Sequence, residues 1–335
     1  MMIKKILYIG FQYEYGIKND GDGLNKKAWH DTFKALDYEV ESIYFEDYEH
    51  SELQNVIINK AKEDHTDLIF FALQSNQIEF ETLKTLKDNG FFTVNFFGDD
   101  GWRFDIWSYK YANFFSACLT TEKLKVDKYK EIGQKNIIYT QFASLEPINH
   151  VTGAEYKYDV SFIGGISHYR KWFIQRLLKK GIKVECFGTG WENGRVSYAD
   201  MENIIQSSRI NLNITNSVVY DIRYVLSNPK HAISLVRGLK NQSEIKARVF
   251  ELTAQGGFTL SEYVPFLEDY FSIGKEISCY TNFDEAEAMI MYYLKKDDER
   301  ESIKEFGIKK ALEHHLYKHR IKEFMLELNK IKVGM

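Results

Sequence analysis

Short apolar runs at residues 4–9, 39–44, 67–72, 91–97, 117–120 and 136–141 alternate with stretches at 24–36, 51–63, 77–89 and 122–132 whose apolar residues recur at helical spacing. Runs of that length read as strands, and the 3.6-residue rhythm between them reads as amphipathic helix. Strands and helices alternating in this way predict a parallel, doubly wound α/β sheet whose crossovers share one hand. The first predicted strand ends at Gly10 and enters a polar, glycine-bearing loop at 12–23, a ligand-facing position in an open sheet. That loop lacks Gly-x-Gly-x-x-Gly, which argues against a dinucleotide dehydrogenase.

The rhythm breaks at 143–157, where Pro147 and Gly153 sit among polar residues, and then resumes with strands at 159–163, 183–187 and 210–214 and helices at 169–180 and 199–206. We therefore expect a Rossmann-like domain over 1–145, a linker at 146–157 and a second Rossmann-like domain over 158–316. Residues 216–243, with Pro229 and a helical stretch at 230–239, read as a lid or binding loop. From 283 to 331 the spacing is helical.

Composition changes this picture little. The 335 residues, 44% hydrophobic and 27% charged, give room for two ordinary globular domains. No run reaches the ~18 uncharged apolar residues of a spanning helix, and the first ten residues do not resemble a signal peptide. A cytoplasmic protein without a transmembrane segment is the expectation, and peripheral membrane contact stays open. Cys118, Cys186 and Cys279 are odd in number and scattered, so neither a disulfide framework nor a zinc site is indicated. Charge is more informative. Residues 1–150 hold 17 Lys and Arg against 24 Asp and Glu, and 151–335 hold 27 against 24, so the halves carry −7 and +3. A mildly basic second half suits a small phosphate-bearing ligand and speaks against a nucleic-acid partner.

Candidate chemistry concentrates in that half. Lys246, Arg248 and Glu251 open a short helix whose apolar residues Val249, Phe250 and Leu252 face elsewhere, and Gly256-Gly257 follows. Two cations and a carboxylate so spaced read as an anion site beside a hydroxyl-binding site. The glycine pair either lets the main chain approach a ligand or ends the helix. Gly164-Gly165, with Arg170 and Lys171, follows a strand and opens a helix, so amides and cations can meet a diphosphate. In the first half, Asp99 and Asp100 lie at a strand end, where Asp100 is either a general base for an acceptor hydroxyl or a helix N-cap. Asp20-Gly21-Asp22 spells an Asp-x-Asp pattern.

Five strings occur in a telling order: Ser161-Phe-Ile-Gly164-Gly165 followed by Arg170, then Phe187-Gly-Thr-Gly190-Trp191, then the block from Lys246 to Tyr263, then Phe271-Ser-Ile-Gly274-Lys-Glu276-Ile, then His314-His315-Leu-Tyr317-Lys-His-Arg320. Together they resemble the CgeB-like glycosyltransferases, relatives of the group 1 glycosyltransferases with the two-domain B-type fold. The resemblance implies two Rossmann-like domains facing a cleft, with a final helix at 317–335 crossing back to the first. It implies transfer of a sugar from a nucleotide-sugar donor to an unknown carbohydrate, lipid-linked or protein acceptor held by the first domain. Arg170 or Lys171, with Lys246 and Arg248, would stabilise the leaving diphosphate. Glu251 would bind the ribose hydroxyls, and Gly188 to Trp191 would frame the base, with Trp191 equally readable as a core residue. The relatives carry a second glutamate eight positions before the first, where this chain has Ser243 with Glu244 beside it. With four cations available, no metal or other cofactor is expected, and Asp20 and Asp22 are turn formers or acceptor contacts. The alternatives are a nucleotide-sugar epimerase or phosphorylase on the same fold, or a non-catalytic sugar- or nucleotide-binding protein.

Overall fold

A computed structural model describes residues 2–63, 65–148, 155–215, 221–228, 230 and 243–334. Within 216–243 it therefore leaves most of the expected lid and the helix at 230–239 outside the described residues. The chain forms two compact units, one of Met1–Phe142 with Tyr317–Met335 and one of Ala143–Leu316.

Unit 1 is built on strands β1 (Lys5–Gly10), β2 (Glu39–Tyr44), β3 (Leu68–Phe71), β4 (Thr93–Phe97), β5 (Ala117–Thr120) and β6 (Ile137–Tyr139), all parallel, in the order β2-β1-β3-β4-β5-β6. Unit 2 has β7 (Tyr158–Ile163), β8 (Glu185–Phe187), β9 (Ser208–Asn213), β10 (Thr259–Glu262) and β11 (Ser278–Tyr280), again parallel, in the order β11-β10-β9-β7-β8. Both sheets thus start in the middle, wind outward one way and then reverse. The reversal leaves a crevice at the carboxyl ends of β1 and β3 in one unit and of β7 and β9 in the other. Central strands such as Leu68–Phe71 and Ala117–Thr120 are buried along their whole length, as parallel strands with helices on both faces must be.

Local chemistry explains where the elements depart from a simple alternation. The predicted helix at 24–36 is wound as a π-helix over Lys26–Asp31 before Thr32–Ala35 becomes α-helical. This wide turn buries Trp29 against Phe70 and Phe96, with ring centroids at 5.7 and 4.6 Å. A helical stretch after β4, Asp100–Arg103, Phe104–Ser108 and Tyr109–Ala112, was not expected between 97 and 117. Its glycine and aromatic residues have low helix propensity, and it is held by Phe104 and Tyr111 in the core. The last helix, Tyr317–Gly334, packs into unit 1: Phe324 stacks on Phe70 at 6.2 Å, Asn329 accepts the amide of Ile3 at 2.8 Å, and Lys332 reaches Asp67 at 3.1 Å.

In unit 2, the ends of the polypeptide are bonded to each other. Ser144 donates its amide to the His315 carbonyl at 2.9 Å and bridges to Leu316.

Candidate active site

The switch point of unit 2 is spanned by one side chain. Ser167 caps the helix His168–Lys179 by accepting the amide of Arg170, which points that arginine back toward the sheet edge. Its Nε donates to the carbonyl of Ile214, just past β9, at 3.0 Å, and Nη1 donates to Gly165, just past β7, at 2.9 Å. Arg170 therefore ties the two strand ends between which the crevice opens, and its Nη2 makes no hydrogen bond among the described residues. Burial lowers its pKa first and the nearby Arg248 cation lowers it further, against the opposing field of Glu262. Two guanidinium groups are thus gathered in one place, an arrangement that favours an anion between them. Lys171, the next residue, is exposed on the helix surface.

The glycines of the neighbouring turn are there for the backbone. Gly188 has φ +126°, and a Cβ on it would lie 2.4 Å from the carbonyl oxygen of Gly164. Gly190 has φ +89° and sits against Ile166. Only glycine lets these two loops touch main chain to main chain. Trp191 fastens the contact by donating Nε1 to the Gly164 carbonyl at 2.8 Å while packing edge-on against Phe162. This gives Trp191 a packing task, one of the two readings its sequence position left open.

The helix Ala247–Ala254 brings its cations to the site already paired. Lys246 meets Glu244 at 2.8 Å, and Arg248 meets Glu251 at 3.1 Å, with both carboxylates buried. One Glu251 oxygen is so engaged, and Oε1 makes no hydrogen bond among the described residues. The expectation for Gly256-Gly257 is corrected. Gly256, at φ +97°, and Gly257 close the helix with bonds from their amides to Thr253 and Leu252, a Schellman ending. The pair precedes β10, so it lies at the amino edge of the sheet, an eight-residue helix of about 12 Å away from the strand ends that Arg170 joins. A Cβ on Gly257 would meet Asn211 and Leu252 within 2.7 Å, so tight packing explains the residue and a ligand does not.

Two strand-end residues escaped the sequence reading. Glu262 closes β10 and accepts the amide and hydroxyl of Thr215, which follows β9; burial raises its pKa, partly countered by Thr215 and Arg170. The signal was available, since both positions follow from the rule that ligands meet parallel strands at their carboxyl ends.

In unit 1, a hollow of about 480 Å³ opens at the switch point, lined by residues following β1, β3 and β4, among them Phe11, Gln74, Asp99 and Arg103. Asp100 is fully buried there, its Oδ2 accepting the Thr120 hydroxyl at 2.6 Å and the Tyr129 hydroxyl at 2.7 Å. These bonds anchor Asp100 from behind while it still lines the hollow, and the residue at the N-cap position of Asp100–Arg103 is Asp99. Asp22 pairs with Lys26 at 2.8 Å, and the Asp20 side chain lies outside what is described.

Comparison with known proteins follows this geometry. Residues 170–326 match the family model described as glycosyl transferase-like. No curated protein matches the chain in sequence. HepE of Anabaena, solved with UDP and glucose, superposes with a TM-score of 0.66 at 10% identity, over 98% of this chain and 100% of its own. A glycosyltransferase of Rickettsia africae gives 0.59 at 8% identity, over 98% of each chain. A variant of S. aureus TarM, solved with fondaparinux, α-GlcNAc-glycerol and UDP, gives 0.56 at 9% identity over 83% of this chain, which spans 59% of TarM. The fold is the two-domain B-type architecture of these structures, and just under half of the chain matches the glycosyl transferase-like model. Its glycosyl transferase-like segment begins at Arg170, the residue that bridges the second crevice, and takes in most of unit 2. No helix among the described residues is long and apolar enough to cross a membrane.

Proposed function

We propose that the chain transfers a sugar from a uridine-diphosphate donor held by unit 2 to an acceptor held by unit 1, in the manner of CgeB-like enzymes, and works in the cytoplasm. The observation that carries the reading is the pair of guanidinium groups, Arg170 and Arg248, at the switch point of the second sheet, with Glu251 beside them. A diphosphate leaving group gathers negative charge as the glycosidic bond breaks, and fixed cations stabilise that charge more than they stabilise the ground state. Arg170, with the adjacent Lys171 and with Lys246 and Arg248 of the second cationic block, is assigned to the diphosphate, and Glu251, through Oε1, to the ribose hydroxyls. The base preference is supported by UDP in HepE and TarM. Because side chains supply the positive charge, no metal is required for this chemistry.

Calorimetric titration with UDP, GDP, dTDP and CMP, followed by release of free UDP from UDP-glucose and UDP-N-acetylglucosamine, tests the assignment. UDP binding with slow sugar release is expected. Binding without any turnover, even with carbohydrate acceptors, would mark a nucleotide-binding protein.

A further inference from the structure

Arg103 is a charge in need of a partner. It closes the helix Asp100–Arg103, and its guanidinium lies over the ring of Trp107 at 4.2 Å, with Trp102 at 5.6 Å. Among the described residues its side chain makes no hydrogen bond or ion pair. It is half-buried, and burial lowers its pKa although Asp99 and Asp100 lie near enough to favour the cation. A guanidinium in this state has surrendered part of its hydration and received no acceptor in return. Its position decides what the acceptor is. Arg103, Trp107 and Ser75 line both the 480 Å³ hollow at the switch point and an adjoining one of 730 Å³, so the fork stands where one opens into the other. The indole holds the guanidinium at the rim the two hollows share, within reach of a group bound in either.

We propose that unit 1 holds an acceptor sugar bearing an oxyanion, a carboxylate or a phosphate ester, and that Arg103 receives that group. The proposal rests on the reading of unit 1 as the acceptor side and deepens it. A carboxylate or phosphate matches the arginine fork with two parallel hydrogen bonds, whereas a neutral hydroxyl offers one acceptor and no charge. Trp107 serves twice, holding the guanidinium and offering an apolar edge to a sugar ring.

The test is ligand-observed NMR titration of the full chain with methyl β-glucoside, methyl β-glucuronide and methyl glucoside 6-phosphate, beside a separate UDP titration. One of the anionic sugars is expected to bind about tenfold or more tightly than the neutral one, and which one it is tells carboxylate from phosphate. Arg103→Ala should erase that preference while leaving UDP affinity and the neutral sugar unchanged. Arg103→Lys, which keeps the charge and loses the fork, should retain part of it and serves if the alanine variant does not fold. Equal binding of all three sugars, or a preference that survives Arg103→Ala, overturns the proposal. Absence of UDP binding to the parent protein sinks the transferase reading and is scored separately from the sugar titration.

Discussion

Arg248 and Glu251, one turn apart, form an ion pair of 3.1 Å at the start of the helix Ala247–Ala254. Glu251→Gln removes the charge, keeps the size and releases the arginine, so two partners of the site change together. UDP affinity is expected to fall roughly ten- to hundredfold. The loss in the double variant with Arg248→Ala should be smaller than the sum of the single losses, because the residues share one interaction. Unchanged nucleotide affinity in a folded Glu251→Gln protein removes the ribose assignment.

Arg170 donates to two carbonyls on opposite sides of the crevice from two separate nitrogens, a rigid span that the single ammonium of lysine does not reproduce. Arg170→Lys should therefore lower donor turnover by about 10²–10³ while affecting UMP affinity much less, since the lost stabilisation belongs to the breaking bond. Steady-state UDP release and a UMP titration measure the two; equal losses would make Arg170 a ground-state anchor.

Gly188→Ala introduces a side chain at φ +126° and drives its Cβ onto the Gly164 carbonyl. The backbone conformation alone costs about 1–3 kcal/mol, before the clash is counted. Thermal unfolding should show a clear drop, whereas Gly181→Ala, also at positive φ but with open space around it, should be milder. Similar behaviour of the two variants contradicts the close-approach account.

Asp67 supplies a pH-dependent stabilisation. Burial raises its pKa, but the amides of Lys5 and Lys4 and the ammonium of Lys332 outweigh this and leave it below its ordinary 3.8. A depressed carboxylate adds stability above the unfolded pKa, and that contribution is lost as pH falls through the folded value. Asp67→Asn should cost about 1–2 kcal/mol at pH 7, with the partial exposure of the pair discounted, which is a Tm loss of a few degrees. The gap between variant and parent should narrow as pH falls below the ordinary carboxylate value of 3.8 and through the lowered one of the folded state. A gap independent of pH rejects the ion-pair explanation.

Transfer or donor hydrolysis is expected to continue in excess EDTA. Loss of activity that Mn²⁺ or Mg²⁺ restores, and that Asp22→Asn abolishes, would replace the cation-based mechanism with a metal-based one.

Most strands and the larger helices could be read from the chain because buried parallel strands are apolar throughout and crossover helices keep a 3.6-residue rhythm. The π-helical turn at Lys26–Asp31 and the helical stretch from Asp100 to Ala112 could not, since each depends on aromatic packing partners far away in sequence. The site divides similarly. The strand-glycine-helix spacing placed Arg170 beside a turn, whereas Gly188 and Gly190 came from the family resemblance alone. Gly256-Gly257 misled because a glycine pair after a helix reads the same whether it caps the helix or meets a ligand, and only the sheet edge on which it falls tells them apart. The anchoring of Asp100 was not legible, because the hydroxyls of Thr120 and Tyr129 that hold it lie far along the chain.

The bond from Ser144 to His315 bears on how the molecule can be cut. Unit 2 enters and leaves its neighbour's sequence through two adjacent strand-like passages, in the manner of a cassette with its ends stapled. Residues 143–316 are therefore a natural excision unit, and joining their ends with a short linker gives a permutable module. Trimming the C-terminus is the opposite case: removing Tyr317–Gly334 takes Phe324 and Asn329 from the first sheet's core and edge, so the damage falls on the half of the protein most distant in sequence.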